Sequence, residues 1–324
     1  MMNDIALESW MEKMEKEKPD VAEIPLNRLA LPGTHNSGSS TVGNARNSPL
    51  LGEDSFLSKL HNSRIIGSVV HRVAAQWSKC QRGTIKDQLR IGIRYLDMRI
   101  TFLDDTFHLC HGFTGEQLAP VLTDIRQFID DHRKEIVVLD MNHVYNMGHA
   151  EHVRLIQLIE LKFEGVLFQR QRALPKLGDM WHTGKRVIAL LHPHPNKKFN
   201  YENPHIQSVW FPSFIQSPWH NTTSRSHLFE RLDDGLKALP GDGERLFVSQ
   251  CIFTPRTRTI VKSLLLPLPG IWRNLEDMAR SIRQEIIAWL TCSSAVQKHG
   301  VNIVIADYID AEFIKAVIAI NFSS

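Results

Sequence analysis

The chain has 324 residues, of which 43% are hydrophobic and 23% charged. That balance describes a globular protein able to bury a large core and excludes a disordered or fibrous chain. A net charge of +3 and a pI near 8.6 are too mildly basic to indicate nucleic acid, so no nucleic-acid partner is expected.

Pro, Gly and Ser never cluster into a linker, and no internal repeat is visible. The first residues, MMNDIALESWMEKMEKEKPD, are amphipathic and charged, without the apolar stretch of a signal peptide. No apolar run approaches the roughly 18 residues that cross a bilayer. A cytoplasmic protein is therefore expected, peripheral at membranes if it touches them. Cys80, Cys110, Cys251 and Cys292 lack CxxC spacing and read as reduced, core-filling thiols.

In chain order, residues 5–17 form a short helix ended by Pro19, so residues 1–23 read as an N-terminal helical segment and 24–324 as the main domain. Residues 26–31 read as a first strand running into the tight loop PGTHNSG, which carries His35 and Asn36. Thr84 and Asp87 have capping-box spacing and open a helix. The stretch IGIRYLDMRITFLDDTFHLCHG (residues 91–112) alternates apolar and polar residues on both sides of Asp104-Asp105 and predicts two strands joined by a tight turn. On the first of them Asp97 and Arg99 share a face.

A helix over 120–132, a buried strand over 135–142 and a helix over 149–163 follow. Strands are then predicted at 186–191, 208–214 and 246–250, with helices at 224–239 and 274–299. A last strand at 301–306 precedes Asp307 and a final helix from about 311. Counting a short strand at 107–109, strands and helices alternate about eight times. This predicts an α/β fold with a single distorted TIM-type (β/α)8 barrel. Such a barrel would bring His35, Arg99, His111, Asn142, His192 and Asp307, all at strand carboxyl ends, to one mouth.

Two histidines can flank a phosphodiester as an acid/base pair, because imidazole populates both protonation states near neutrality. A guanidinium stabilises the charge that grows on the phosphoryl oxygens, and a carboxylate behind one imidazole fixes its tautomer. Each residue also has a simpler role open to it. Arg99 could pair with Asp97, and Asp307 could cap the helix that follows it. His192 and His194 have no further ligand at zinc spacing, so no metal site is expected. No Walker loop, GxGxxG, GxSxG or HExxH is present.

Five stretches in order, LPGTHNSG, QLRIGIRYLDMRI, FHLCHGF, KEIVVLDMNHV and NIVIADYIDAEF, resemble the X domain of phosphatidylinositol-specific phospholipase C. The likeness is greatest to the small stand-alone X-domain proteins of animals, whose relatives include secreted bacterial enzymes. It implies a distorted α/β barrel that cleaves the glycerol-side phosphodiester of inositol phospholipids through a cyclic inositol phosphate. On this resemblance His35 is the general base on the inositol 2-hydroxyl, Asp307 its partner and His111 the general acid. Arg99, with Asp97 beside it, stands where calcium-dependent relatives place a metal ligand. Met141 likewise falls where a carboxylate would be, so no cofactor, calcium included, is expected. Asn36 departs from the aspartate of bacterial members. Asn36, Asn142 and His192 are the expected substrate contacts.

The expected partners are an inositol phospholipid and an anionic membrane surface. Residues 253–273 carry four basic residues, no acidic one, and the apolar set Leu264, Leu265, Leu266, Leu268, Ile271 and Trp272. Of these Leu265, Leu266 and Trp272 are the candidate membrane contacts, unless the segment packs on the barrel instead. Trp210, Phe211 and Trp219 carry the same choice. Two other functions fit the same residues: a catalytically weak phosphoinositide-binding barrel and a metal-dependent glycerophosphodiesterase.

Overall fold

A computed structural model describes residues 6–43, 67–192, 206–256, 259–260 and 271–323, with side chains from residue 72 onward in the second of these stretches. The strands are β1 (Leu31–Thr34), β2 (Tyr95–Leu103), β3 (Thr106–His111), β4 (Phe113–Gln117) and β5 (Val137–Tyr145). They continue with β6 (Val187–Leu191), β7 (Ile215–Gln216), β8 (Leu246–Gln250) and β9 (Ile303–Ala306). Parallel pairing runs β7–β8–β9–β1–β2–β5–β6. Runs such as VIALL and IVIA are buried along their whole length, as parallel strands covered on both faces require.

The circuit continues from β6 to Trp210, which bridges Leu190 in parallel and exchanges backbone hydrogen bonds with Ala189 and Leu191. A 3-10 turn, Pro212–Phe214, then leads to Ile215. The expected strand at 208–214 is thus reduced to one bridging residue, and the interval from Trp210 to β7 is not closed by a hydrogen-bonded ladder. The result is a distorted α/β barrel with eight positions: β1, β2, β5, β6, Trp210, β7, β8 and β9.

Residues 107–109 do not belong to the barrel wall. Asp104 and Asp105 take positive φ values of 47° and 60° and fold β3 back antiparallel on β2. A two-residue turn of this hand produces a hairpin, whereas a parallel neighbour needs a crossover of about a dozen residues. β4 pairs antiparallel with β3, so the next helix, Leu118–Asp131, begins two residues before its expected start. The first strand also differs from expectation. Residues Leu26–Arg28 form a 3-10 turn, and the strand comes only at Leu31. The long helix expected over 274–299 is three: Leu275–Arg280, Arg283–Cys292 and Ser294–His299, the last capped by Ser293. The Thr84–Asp87 capping box is present as expected.

The helix Trp10–Glu17 docks one face on the core, with Trp10, Met11 and Met14 all at 0% exposure. Glu135 accepts the N–H groups of Met11 and Glu12 at 2.9 and 3.1 Å, where the helix's unpaired donors and positive dipole end favour a carboxylate. Arg94 pairs with Glu135 at 2.7 Å, both fully buried, and its remaining N–H groups reach the carbonyls of Leu89, Ile93 and Glu8. The charges are thereby matched and their hydrogen-bonding capacity is used. No described helix is long and apolar enough to cross a membrane.

Candidate active site

The carboxyl ends of the parallel strands open into a cavity of about 840 Å3. His35, Asp97, Arg99, His111, Asn142, His192 and Asp307 all line it. Asn36, expected to touch substrate, does not. A left-handed φ of 44° turns it behind the wall at 2% exposure, and its contacts are with protein.

His35 is the first residue beyond β1, and Asp307 the first beyond its neighbour β9. His35 Nδ1 donates to Asp307 Oδ1 at 2.7 Å, which leaves Nε2 as the basic nitrogen. The His35 loop is pinned from below. Gln88 accepts from Thr34 Oγ1 and donates to the Ser37 carbonyl, while Gln81 donates to the carbonyls of His35 and Ala306. Gly38 lies so close to Leu109 that a Cβ there would come within 2.5 Å of its side chain. Asp307 is held in turn by Arg283, whose guanidinium binds the carbonyls of Asp307 and Tyr308 and the carboxylate of Asp310. Asp310 caps the final helix through the Phe313 N–H, so Asp307 does not serve as its cap.

His111 ends β3. Its Nδ1 donates to the Ser78 carbonyl at 2.6 Å, again leaving Nε2 free of the backbone. Its ring centroid lies 6.1 Å from that of His35, with the planes at 73°. Burial, then the Arg99 cation, then His35 push the His111 pKa well below the ordinary histidine value.

Asp97 and Arg99 reach the cavity from β2 across a bulge. Asp97 pairs with Asp140 and Arg99 with His143, so Asn142 is the extra residue on β5. Released from the ladder, Asn142 donates Nδ2–H to Asp97 Oδ1 at 2.7 Å, while the Asn36 backbone donates to Asp97 Oδ2 at 2.9 Å. Arg99 makes no ion pair with Asp97. Its Nε is buried without a hydrogen-bond partner among the described residues.

Two groups that no local sequence signal marked, Asp140 and His143, complete the cavity floor and side together with the expected His192. Asp140 sits on the barrel axis side of β5 at 0% exposure and accepts from the Tyr95 hydroxyl. His192 Nε2 lies 2.8 Å from Asp140 Oδ1, as an ion pair in which neither atom makes an aligned hydrogen bond. Burial disfavours the charged imidazole of His192, but Asp140 and then Asp97 outweigh it, and the net shift is upward. His143 moves the other way, to about 4, through desolvation in the cleft and the nearby Arg99. It is open to solvent at the mouth and bonded to the Asn142 amide oxygen.

The PI-PLC X family model, described as "PI-PLC X 1", matches residues 59–225, more than half of the chain. PI-PLC X domain-containing protein 2 of Homo sapiens is 30% identical over 268 residues, covering 81% of this chain and 83% of that protein. The chain belongs to the PI-PLC X family. PI-PLC X domain-containing protein 3 of Homo sapiens is 28% identical over 329 residues, covering 99% of this chain and 95% of that protein. The similarity therefore extends over His35 and Asp307, which lie outside the matched family segment.

In three dimensions this PI-PLC X chain resembles the phosphatidylinositol-specific phospholipase C of Listeria monocytogenes, with a TM-score of 0.67 at 18% identity over 98% of this chain and 99% of that one. The Staphylococcus aureus enzyme gives 0.64 at 16% identity over 96% and 97%. Both likenesses establish the barrel.

Among the described residues of this PI-PLC X protein, His35, Cys80 and Asp307 form a cluster of metal-capable donors, with ligand atoms within 4.8 Å of one another. Asp307 is already bonded to His35, and burial followed by the Asp307 charge keeps Cys80 a thiol. Both carboxylate oxygens of Asp97 likewise accept N–H groups.

Leu265 and Leu266 lie outside the described residues. Trp272 is half-buried, packed on the core and tilted against Phe253 at 5.9 Å. Trp210 and Phe211 are core residues. Trp219, on the rim of the cavity, is 60% exposed with its indole N–H bonded to Thr254.

Proposed function

We propose that this protein is a phosphodiesterase of the phospholipase C type, cleaving the glycerol–phosphate ester of an inositol phospholipid without calcium. The observation that carries this reading is the pairing of His35 and His111 at 6.1 Å, each with its Nδ1 committed to a fixed acceptor and Arg99 in the same cavity. His35 Nε2 takes the proton of the inositol 2-hydroxyl as that oxygen attacks phosphorus. His111 Nε2–H protonates the departing glycerol oxygen, giving diacylglycerol and a cyclic inositol phosphate. Water then opens the ring with the two histidines exchanging roles.

Arg99 is the permanent cation for the non-bridging oxygens, where calcium would otherwise act. The depressed pKa of His111 fits its role once substrate arrives, because the phosphodiester anion offsets Arg99 and favours the imidazolium. The aliphatic and aromatic side of the cavity, from Ile252 and Phe253 to Leu275, suits the glycerol end of a lipid. Trp219 on the rim suits shallow contact with an anionic bilayer. Asn142 and His192 remain the contacts for the head group.

The test is release of water-soluble inositol phosphate from phosphatidylinositol vesicles in EDTA. Turnover that persists with chelator and vanishes in His35→Ala and His111→Ala supports the reading. Vesicle binding without turnover would replace it with a phosphoinositide-binding barrel, and turnover that needs an added divalent ion would replace it with a metal-dependent phosphodiesterase.

A further inference from the structure

The segment Ser78-Lys79-Cys80-Gln81 touches every loop that carries a proton-transfer group. The Ser78 carbonyl receives His111 Nδ1–H, and Gln81 holds the His35 and Ala306 carbonyls. Cys80 does the rest. Its backbone N–H donates to Ser39 Oγ at 2.9 Å in the loop that follows His35, and its carbonyl accepts the Tyr308 N–H at 2.7 Å beside Asp307.

The Cys80 side chain is at 0% exposure and faces the same groups. The Asn36 amide donates one N–H to His35 Nε2 at 3.0 Å and the other to Cys80 Sγ at 3.5 Å. Sγ also lies 3.6 Å from His111 Nδ1 and within 4.8 Å of the ligand atoms of both His35 and Asp307. Asn36 Oδ1 has no hydrogen-bond partner among the described residues. The amide is therefore oriented by what its two N–H groups meet, and one of those acceptors is the sulfur.

We propose that Cys80 is a positioning residue for the site's base: by accepting one Asn36 N–H it aims the other at the His35 Nε2 lone pair, holding the imidazole between Asp307 and Asn36 in its Nδ1–H tautomer until the substrate hydroxyl displaces that N–H. This rests on reading His35 as the base. The charged and titratable groups around the cluster are Asp307, His111, Arg99 and Tyr308. The thiol is a hydrogen-bond acceptor here, distinct from a small apolar core filler, and the two roles predict opposite responses to substitution.

Cys80→Val fills the space without an acceptor, whereas Cys80→Ser keeps an acceptor with less bulk. Imidazole nitrogen chemical shifts in the intact protein report the His35 tautomer without any substrate. Cys80→Val is expected to mix the two His35 tautomers and to lower kcat about tenfold with little change in KM, the scale of one lost oriented hydrogen bond. Cys80→Ser should keep both within about threefold of the parent. A Val variant that retains the parent tautomer, with a Ser variant that is merely less stable, would overturn the proposal and leave Cys80 a core filler. Absence of turnover in the parent protein would remove the proposed function, while the nitrogen shifts would still decide the role of Cys80.

Discussion

Asp310 Oδ1 accepts the backbone N–H of Phe313 at 3.0 Å, and this one cap leaves Asp307 available to His35. Two aspartates three positions apart thus divide the two roles that the sequence left open for Asp307. Asp307→Asn is expected to reduce turnover on the order of 10³-fold, because an amide no longer enforces the Nδ1–H tautomer. Asp310→Ala should cost about 1 kcal/mol of stability through the lost cap, with far smaller loss of rate. Steady-state kinetics and urea denaturation of the two variants separate the roles.

Arg99 and His111 are coupled electrostatically. The cation disfavours protonation of His111, so its removal raises the His111 pKa. Arg99→Met should lower kcat/KM by about 10²–10³-fold and at the same time move the alkaline limb of the pH profile to higher pH. An alkaline limb that stays in place would show that some other group is the acid.

Stability should respond to acid through the same histidines. His111 and His143 have depressed pKa values in the folded protein, His143 at about 4. Unfolded, each binds a proton near pH 6.5, so the unfolded state takes up more protons below that pH. Stability is expected to fall as pH drops from about 6.5 towards 4, and His111→Gln should flatten the fall. His192 has the opposite sign. Its raised pKa gives stability that is complete below about 6.5 and lost as pH rises through the folded value. His192→Gln should therefore lose more stability at pH 5 than at pH 8. Thermal melts across that range provide the measurement.

Glu135→Ala leaves Arg94 charged, fully buried and without its carboxylate, and strips the first turn of the helix Trp10–Glu17 of its acceptor. The expected loss is about 3–5 kcal/mol. A lower urea midpoint at unchanged m-value would confirm it. A loss below about 1 kcal/mol would mean the pair is dispensable.

Residues at the site were legible in the sequence where a local signal marked them. His35, His111 and Asp307 each sit at the end of an apolar run or in a glycine-bounded loop, and the strand-end rule places such residues at one mouth, whereas Arg99 lies in the middle of β2 and reaches it beside the bulge. Asn36 obeyed the same local signal and was misplaced, because the sign of its φ decides which way the side chain turns and no neighbouring residue announces it. Ser78, Cys80 and Gln81 were invisible for a different reason. They act through contacts with residues 31 to 228 positions distant in the chain, and the segment has no periodicity of its own. The barrel was legible as alternation, but its count was met by different members. A hairpin read as a wall strand, and Trp210, one residue long as a bridge, took a strand's place.

β1 is flanked by β2 on one side and by β9 on the other, and Asn321 of the last helix exchanges two hydrogen bonds with the backbone of Ala30 just before it. During synthesis β1 emerges well before β9, so its second edge stays uncovered until the segment from Ile303 to Asn321 has followed. His35 takes its carboxylate from a residue 272 positions later, so a growing polypeptide carries the imidazole long before it carries the completed dyad.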